Sequence, residues 1–240
     1  MTYLEPPEDK ELALKEHLIE LRKRLIIVII SIAVLVCITF PFSKQLLEYI
    51  VKDVVPQGTE IIVLGPMEYL YILVLISLTL SIILSFPVII YETFMFMKPG
   101  LFPSERKFFL RVVPTSFILF IIGALFSYKL LLPLSLDFLL DYTIGKAEAM
   151  LVLSRFVKFL SFLLLSVGLI FQVPLIIALA VKADLIQKED LKKKRKYIYG
   201  ILLLIAFFIA PDPTPITPLL ILLTLALVYE ISIFFANYLL

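Results

Sequence analysis

The chain alternates between long apolar runs and short polar, charged stretches. Six apolar runs can be marked, at about 25–42, 68–97, 109–132, 156–181, 197–210 and 216–236. A bilayer's hydrocarbon core, roughly 30 Å thick, asks for about 20 helical residues per crossing. The first four runs meet that length, and the last two flank the Pro-rich turn PDPTPITP at 211–218. No run shows strand-like alternation, so helices rather than barrel strands are expected to satisfy the backbone in lipid. The pattern predicts an all-α polytopic membrane protein of six transmembrane helices. It forms one domain over 1–240, with the polar segment 1–24 ahead of the first span and no cleavable signal peptide expected.

Two long connections have a pattern of their own. FSKQLLEYIVKDVV (42–55) spaces Leu46, Leu47, Ile50, Val51 and Val54 at helical intervals, which predicts an amphipathic helix. PLSLDFLLDYTIGKAEAMLVLSRFVKFL (133–160) reads as helices lying over the membrane face. Such caps either tie the bundle together or cover a pathway. Pro87, Pro114 and Pro174 fall inside the second, third and fourth runs, where each removes a backbone hydrogen bond and should bend its helix. The fifth run has only 14 residues between Lys196 and Pro211, about 21 Å of helix and short of the bilayer. Snorkelling from KKKRK, local thinning, or self-association answers such a mismatch, so the bilayer and further copies of the chain are both candidate partners.

Composition agrees with the pattern: 61% of residues are hydrophobic, against about 45–50% in soluble domains. The placement of positive charge gives the orientation. Of the 22 Lys and Arg residues, sixteen fall in the N-terminal segment and the second–third and fourth–fifth connections, and six on the other side. Both termini are therefore expected in the cytoplasm. The single Cys37 permits no intrachain disulfide. Polar residues inside spans are costly and are functional candidates by default. Glu92 and Glu230 lie near the cytoplasmic ends of the second and sixth spans, as interfacial or functional carboxylates. Gln172 lies near the middle of the fourth, where its amide bonds a neighbouring helix or awaits a partner helix.

Enzymology finds no foothold. The sole histidine, His17, has no Cys or carboxylate at metal-ligand spacing, and there is no phosphate loop, nucleophile elbow or buried protease motif. No catalysis, metal, cofactor or nucleic acid is expected.

HLIELRKRL at 17–25, YETFMFMKPGLFPSER at 91–106, FQVP at 171–174 and YEIS at 229–232 together resemble the TatC family, the multi-spanning subunit of the twin-arginine protein translocase. The resemblance covers nearly the whole chain. It implies a receptor for the signal peptides of folded export cargo, in the cytoplasmic membrane of a prokaryote. Single-span TatA- and TatB-type partners and a drive from the proton-motive force are implied with it. Glu20 and Glu105 then form the cytoplasmic recognition patch, with Arg22 in support and Phe96 and Pro99 shaping the loop that presents Glu105. The physics is compatible: a carboxylate takes a guanidinium through two parallel hydrogen bonds, which an ammonium cannot reproduce. On spacing alone, Glu20 with Arg24 four residues on, and Glu105 before Arg106 and Lys107, read as ordinary surface pairs. Two positions depart from the family: Gln172 stands where glutamate is common, and Asp212 matches the external Pro–Asp turn only loosely. The rivals are a small-solute secondary transporter, which would need charged half-helices meeting at mid-membrane, and a scaffold without a ligand.

Overall fold

The structure is a computed structural model that describes residues 14–97, 103–141, 150–182, 191, 193–209 and 216–238. Within these, some side chains at helix ends, Glu105 among them, lie outside the description. Helix α1 (Leu14–Thr39) runs through a one-turn 3-10 helix (Phe40–Phe42) into α2 (Ser43–Val54), and β1 (Glu60–Ile62) precedes the long α3 (Pro66–Met97). Helix α4 (Pro103–Phe126) continues through a π-helical turn (Ser127–Leu131) into α5 (Leu132–Asp141). After β2 (Met150–Val152) come α6 (Leu153–Ile170), α7 (Val173–Lys182), α8 (Arg195–Ile209) and α9 (Ile216–Tyr238).

Among the described residues, four helical stretches are long and apolar enough to cross a membrane: Glu16–Val54, Pro66–Met97, Val113–Leu139 and Leu153–Ala178. Thr217–Ile233 is a shorter apolar helix. The described part of helix α8 has 15 residues, about 22 Å of rise.

The helices form a train of neighbours. Helix α1 packs chiefly on α3, α3 on α6 and α4, α4 on α6, α7 on α9, and α9 on α8. Helix α6 sits in the middle because its apolar residues recur at helical intervals: Leu153, Phe156, Val157, Leu160, Leu163 and Val167 are all buried. The amphipathic helix expected at 42–55 is present as α2, with Leu47, Ile50 and Val54 buried.

The structure departs from the sequence reading in two places. The two long connections are joined by a parallel two-stranded ladder, Glu60 with Met150, Ile61 with Leu151 and Ile62 with Val152. The stretch 133–160 therefore contains a strand and the start of a span as well as a capping helix. The fourth run is not one bent helix but two, broken at Phe171 and Gln172. Gln172 N bonds Leu169 O rather than the carbonyl four residues back. Pro174 then falls in the first turn of α7, where its missing N–H costs nothing. Pro87 and Pro114 interrupt nothing of this kind, since α3 and α4 continue through them.

Helices α4 and α6 approach closely at two glycines. A Cβ on Gly168 would lie 2.7 Å from the Phe120 ring, and one on Gly123 2.8 Å from Phe171. Phe120 is 1% exposed and stacked on Phe86 at 3.9 Å between centroids, so it has no room to swing away. Gly168→Ala is expected to destabilise the protein by roughly 1–3 kcal/mol through overpacking. Thermal unfolding in detergent measures this, with partial recovery expected when Phe120→Leu is added. An unchanged midpoint for Gly168→Ala would show that the ring can yield.

Candidate functional site

The antiparallel seam between α1 and α3 carries polar groups at both ends. At one end Thr39 Oγ1 lies 2.7 Å from Ser77 Oγ and 3.0 Å from Ser81 Oγ, and Ser77 Oγ donates to Val36 O. Fifteen residues back along α1, about 22 Å away, three charges meet. Arg24 Nη2 and Nε both donate to Glu20 Oε1, at 2.6 and 3.1 Å. Arg24 Nη1 donates to Glu92 Oε2 at 2.9 Å. The side chains of Arg24, Glu20 and Glu92 are 19%, 24% and 11% exposed, so the cluster is partly withdrawn from solvent yet reachable.

Helical spacing builds this site. His17, Glu20 and Arg24 stand at i, i+3 and i+7 on α1, and Glu92 and Phe96 at i and i+4 on α3, so each set lies on one face. The His17 ring stacks on Phe96, with centroids 4.3 Å apart and planes at 27°. His17, set aside in the sequence for want of metal-ligand neighbours, is thus part of the site by its ring. Only an aromatic partner on the facing helix could have signalled that. Arg22 is exposed beside the cluster.

The other predicted residues distribute as follows. Pro99 and Asp212 lie outside the described residues. Glu105 lies in the first turn of α4, with its side chain outside the description. Only residues 98–102 separate Met97 from Pro103, so the start of α4 lies within about 22 Å of the end of α3 carrying Glu92 and Phe96. Glu230 is held within the chain: Arg195 Nη2 donates to its Oε2 at 2.8 Å and Tyr199 OH to its Oε1 at 2.5 Å, joining α8 to α9. Of the two alternatives open for Gln172, the structure has the neighbouring helix. Ser116 Oγ donates to Gln172 Oε1, and Gln172 Nε2 donates to Ser116 O at 3.1 Å. The same nitrogen lies 3.5 Å from Gly168 O, the carbonyl left without its helical partner by the break above.

Chemically, the α1–α3 cluster is a guanidinium-binding arrangement with an excess of one negative charge. Among the described residues no group of three or more His, Cys, Asp and Glu side chains could hold a metal ion.

Comparison with known proteins points to one family. Residues 16–223 match the family "Sec-independent protein translocase protein (TatC)". The chain is 38% identical to the TatC protein of Methanocella arvoryzae, over 98% of this chain and 97% of that one. It is also 38% identical to that of Aquifex aeolicus, over 92% and 93%. A crystal structure described as the twin-arginine translocase receptor TatC superposes with a TM-score of 0.79 at 38% identity, covering 92% of this chain and 98% of the other.

Gln172→Leu is expected to cost about 0.5–2 kcal/mol, the range for interhelical hydrogen bonds in lipid. Detergent unfolding of the single variants and of Gln172→Leu with Ser116→Ala measures the pair. A double variant as costly as the two singles added together would refute the coupling.

Proposed function

The chain belongs to the TatC family of Sec-independent protein translocase proteins, and from that premise we propose that it is a twin-arginine receptor of the translocase. The signal peptide's paired arginines are taken at the cytoplasmic face by Glu20 and Glu105. His17 and Phe96 form the adjoining aromatic wall, Pro99 turns the chain toward Glu105, and Arg22 supports the charge balance. The observation that carries this reading is Arg24 on Glu20 and Glu92: these carboxylates already hold a guanidinium, and a net negative charge remains for another. Glu20 is paired within the chain but still 24% exposed, so capture is an exchange at a reachable carboxylate rather than entry into a vacant pocket. Glu105 begins α4 at the same end, where a helix N-terminus favours a carboxylate.

In the same reading the chain crosses the membrane six times with both termini in the cytoplasm, α8 and α9 completing the count. Single-span partners of the TatA and TatB type gather on the last helices, where α8 presents Tyr197, Ile201, Leu204 and Phe208 outward, Phe208 93% exposed. Glu92, Gln172 and Glu230 serve the chain's own helix seams rather than those partners. Asp212 belongs to the external turn. The proton-motive force supplies the drive for export.

Two experiments test this. Binding of a labelled Arg–Arg signal peptide to the purified chain in detergent should weaken by about 2 kcal/mol or more in Glu105→Gln, as for a truncated charge pair. Glu20→Gln should lose less, because Arg24 already compensates that carboxylate. Equal binding of Arg–Arg and Lys–Lys peptides to the unaltered chain would end the receptor reading. For the topology, in a Cys37→Ser background, Gln57→Cys should be labelled by an impermeant thiol reagent from outside the cell and Lys10→Cys only after lysis. The opposite pattern would invert the orientation.

A further inference from the structure

The cluster beside the capture site contains one cation and two carboxylates, and the arrangement of its bonds is informative. Both bonds from Arg24 to Glu20 end on Oε1, and its bond to Glu92 ends on Oε2. Each carboxylate thus keeps one oxygen that Arg24 does not use. The two carboxylates differ in access, with Glu20 24% and Glu92 11% exposed. Glu92 is the more withdrawn seat and Glu20 the more open one. A planar guanidinium with donors along two edges can hold both at once, or keep one while the other turns away.

We infer that Glu92 is a positioning residue for capture: it retains Arg24 as Glu20 turns to the incoming guanidinium. This rests on the receptor reading above and adds to it a residue that need not touch the ligand. The charge count shows why Glu92 is needed. With Glu92 present, the free cluster is −1 and the cluster with one bound guanidinium is neutral. Without it, Arg24 and Glu20 form a closed neutral pair, and a ligand guanidinium makes two cations compete for one carboxylate. Interactions among such partly withdrawn charges are weakly screened, so the difference is large. Glu92 also keeps the end of α1 fastened to α3 during the exchange, because Arg24 never leaves both carboxylates.

The test is a double-variant cycle on binding of the Arg–Arg signal peptide in detergent. Glu92→Gln should weaken binding at least tenfold, while Glu92→Asp, which keeps the charge, should stay within threefold of the unaltered chain. In a chain carrying Arg24→Gln, no internal guanidinium competes for Glu20, and adding Glu92→Gln should change binding by less than threefold. An equal loss from Glu92→Gln in both backgrounds would mean that Glu92 acts on the peptide directly or only structurally, and would overturn the inference. No loss in either background would overturn it too. If Arg24→Gln does not fold, the cycle is repeated with α1 fixed to α3 by a Thr39→Cys–Ser77→Cys crosslink in a Cys37→Ser background, at the far end of the seam. Glu20→Gln separates the two levels. If it leaves peptide binding unchanged, the receptor reading itself fails. If it weakens binding while Glu92→Gln does not, only the role of Glu92 fails.

Discussion

A helix in lipid gains little by exchanging lipid tails for apolar protein side chains, since both surfaces are alike. That constraint falls hardest on α1. Only 6% of the residues in its apolar window are buried, and Leu25, Ile26, Ile29, Ile30, Val34 and Ile38 all face outward. Among the described residues, helix α1 has one substantial neighbour, α3, so its place in the molecule depends on what that seam contains. The seam has hydroxyls at one end, where Thr39, Ser77 and Ser81 meet, and charges at the other, where Arg24 spans Glu20 and Glu92. Two polar clamps about 22 Å apart fix both the register and the rotation of α1. Rotation matters because it decides which way Glu20 points.

The rest of the bundle uses the same two devices, matched polar groups and close backbone approach. Glycines at 123 and 168 let α4 and α6 come together around Phe171 and Phe120. Gln172 closes on Ser116 and compensates the carbonyl exposed by the break before Pro174. Arg195, Tyr199 and Glu230 join α8 to α9, and Tyr229 OH donates to Leu191 O. Where polar groups are exposed, water competes for them and the devices change. The β1–β2 ladder ties the two long connections, and Tyr128 and Lys129 both donate to Asp53 at the end of α2.

The sequence makes legible whatever depends on local pattern. Apolar runs mark the helices because crossing length is set by the bilayer, and the spacing of Leu47, Ile50 and Val54 marks α2 because one face must be covered. The β1–β2 ladder is illegible: each strand has three residues, too few for a period, and its partner is 90 positions away. The break at Gln172 is half legible. Pro174 warns of a disturbance, but whether the helix bends or stops depends on the Gln172 side chain, whose Nε2 reaches both the freed Gly168 carbonyl and Ser116 O on the neighbouring helix. At the site, the i, i+4 spacing of Glu20 and Arg24 is visible, and their bond exists. The second half of the cluster is not visible, because Glu92 is 68 positions from Arg24 and looks from its own surroundings like an isolated interfacial carboxylate. Recognition was expected from Glu20 with Glu105. Among the described residues the carboxylate beside Glu20 is Glu92, and the side chain of Glu105 lies outside them.

An internal arginine at a guanidinium receptor has a physical rationale. A lone carboxylate at the edge of the hydrocarbon would be costly to keep charged and free to choose many rotamers. Arg24 answers both problems by pairing with Glu20 and fixing it in one orientation. In the proposed capture, one guanidinium contact would replace another of the same shape, so its affinity would be the small difference between two similar pairings rather than the full strength of one. Selectivity survives that subtraction, since an ammonium brings a point charge where a planar fork has been withdrawn. Affinity would not survive it in full, so the captured peptide would remain exchangeable. In the proposed exchange, the carboxylate that anchors the displaced arginine would therefore set how easily it runs, even from a more withdrawn position on the neighbouring helix.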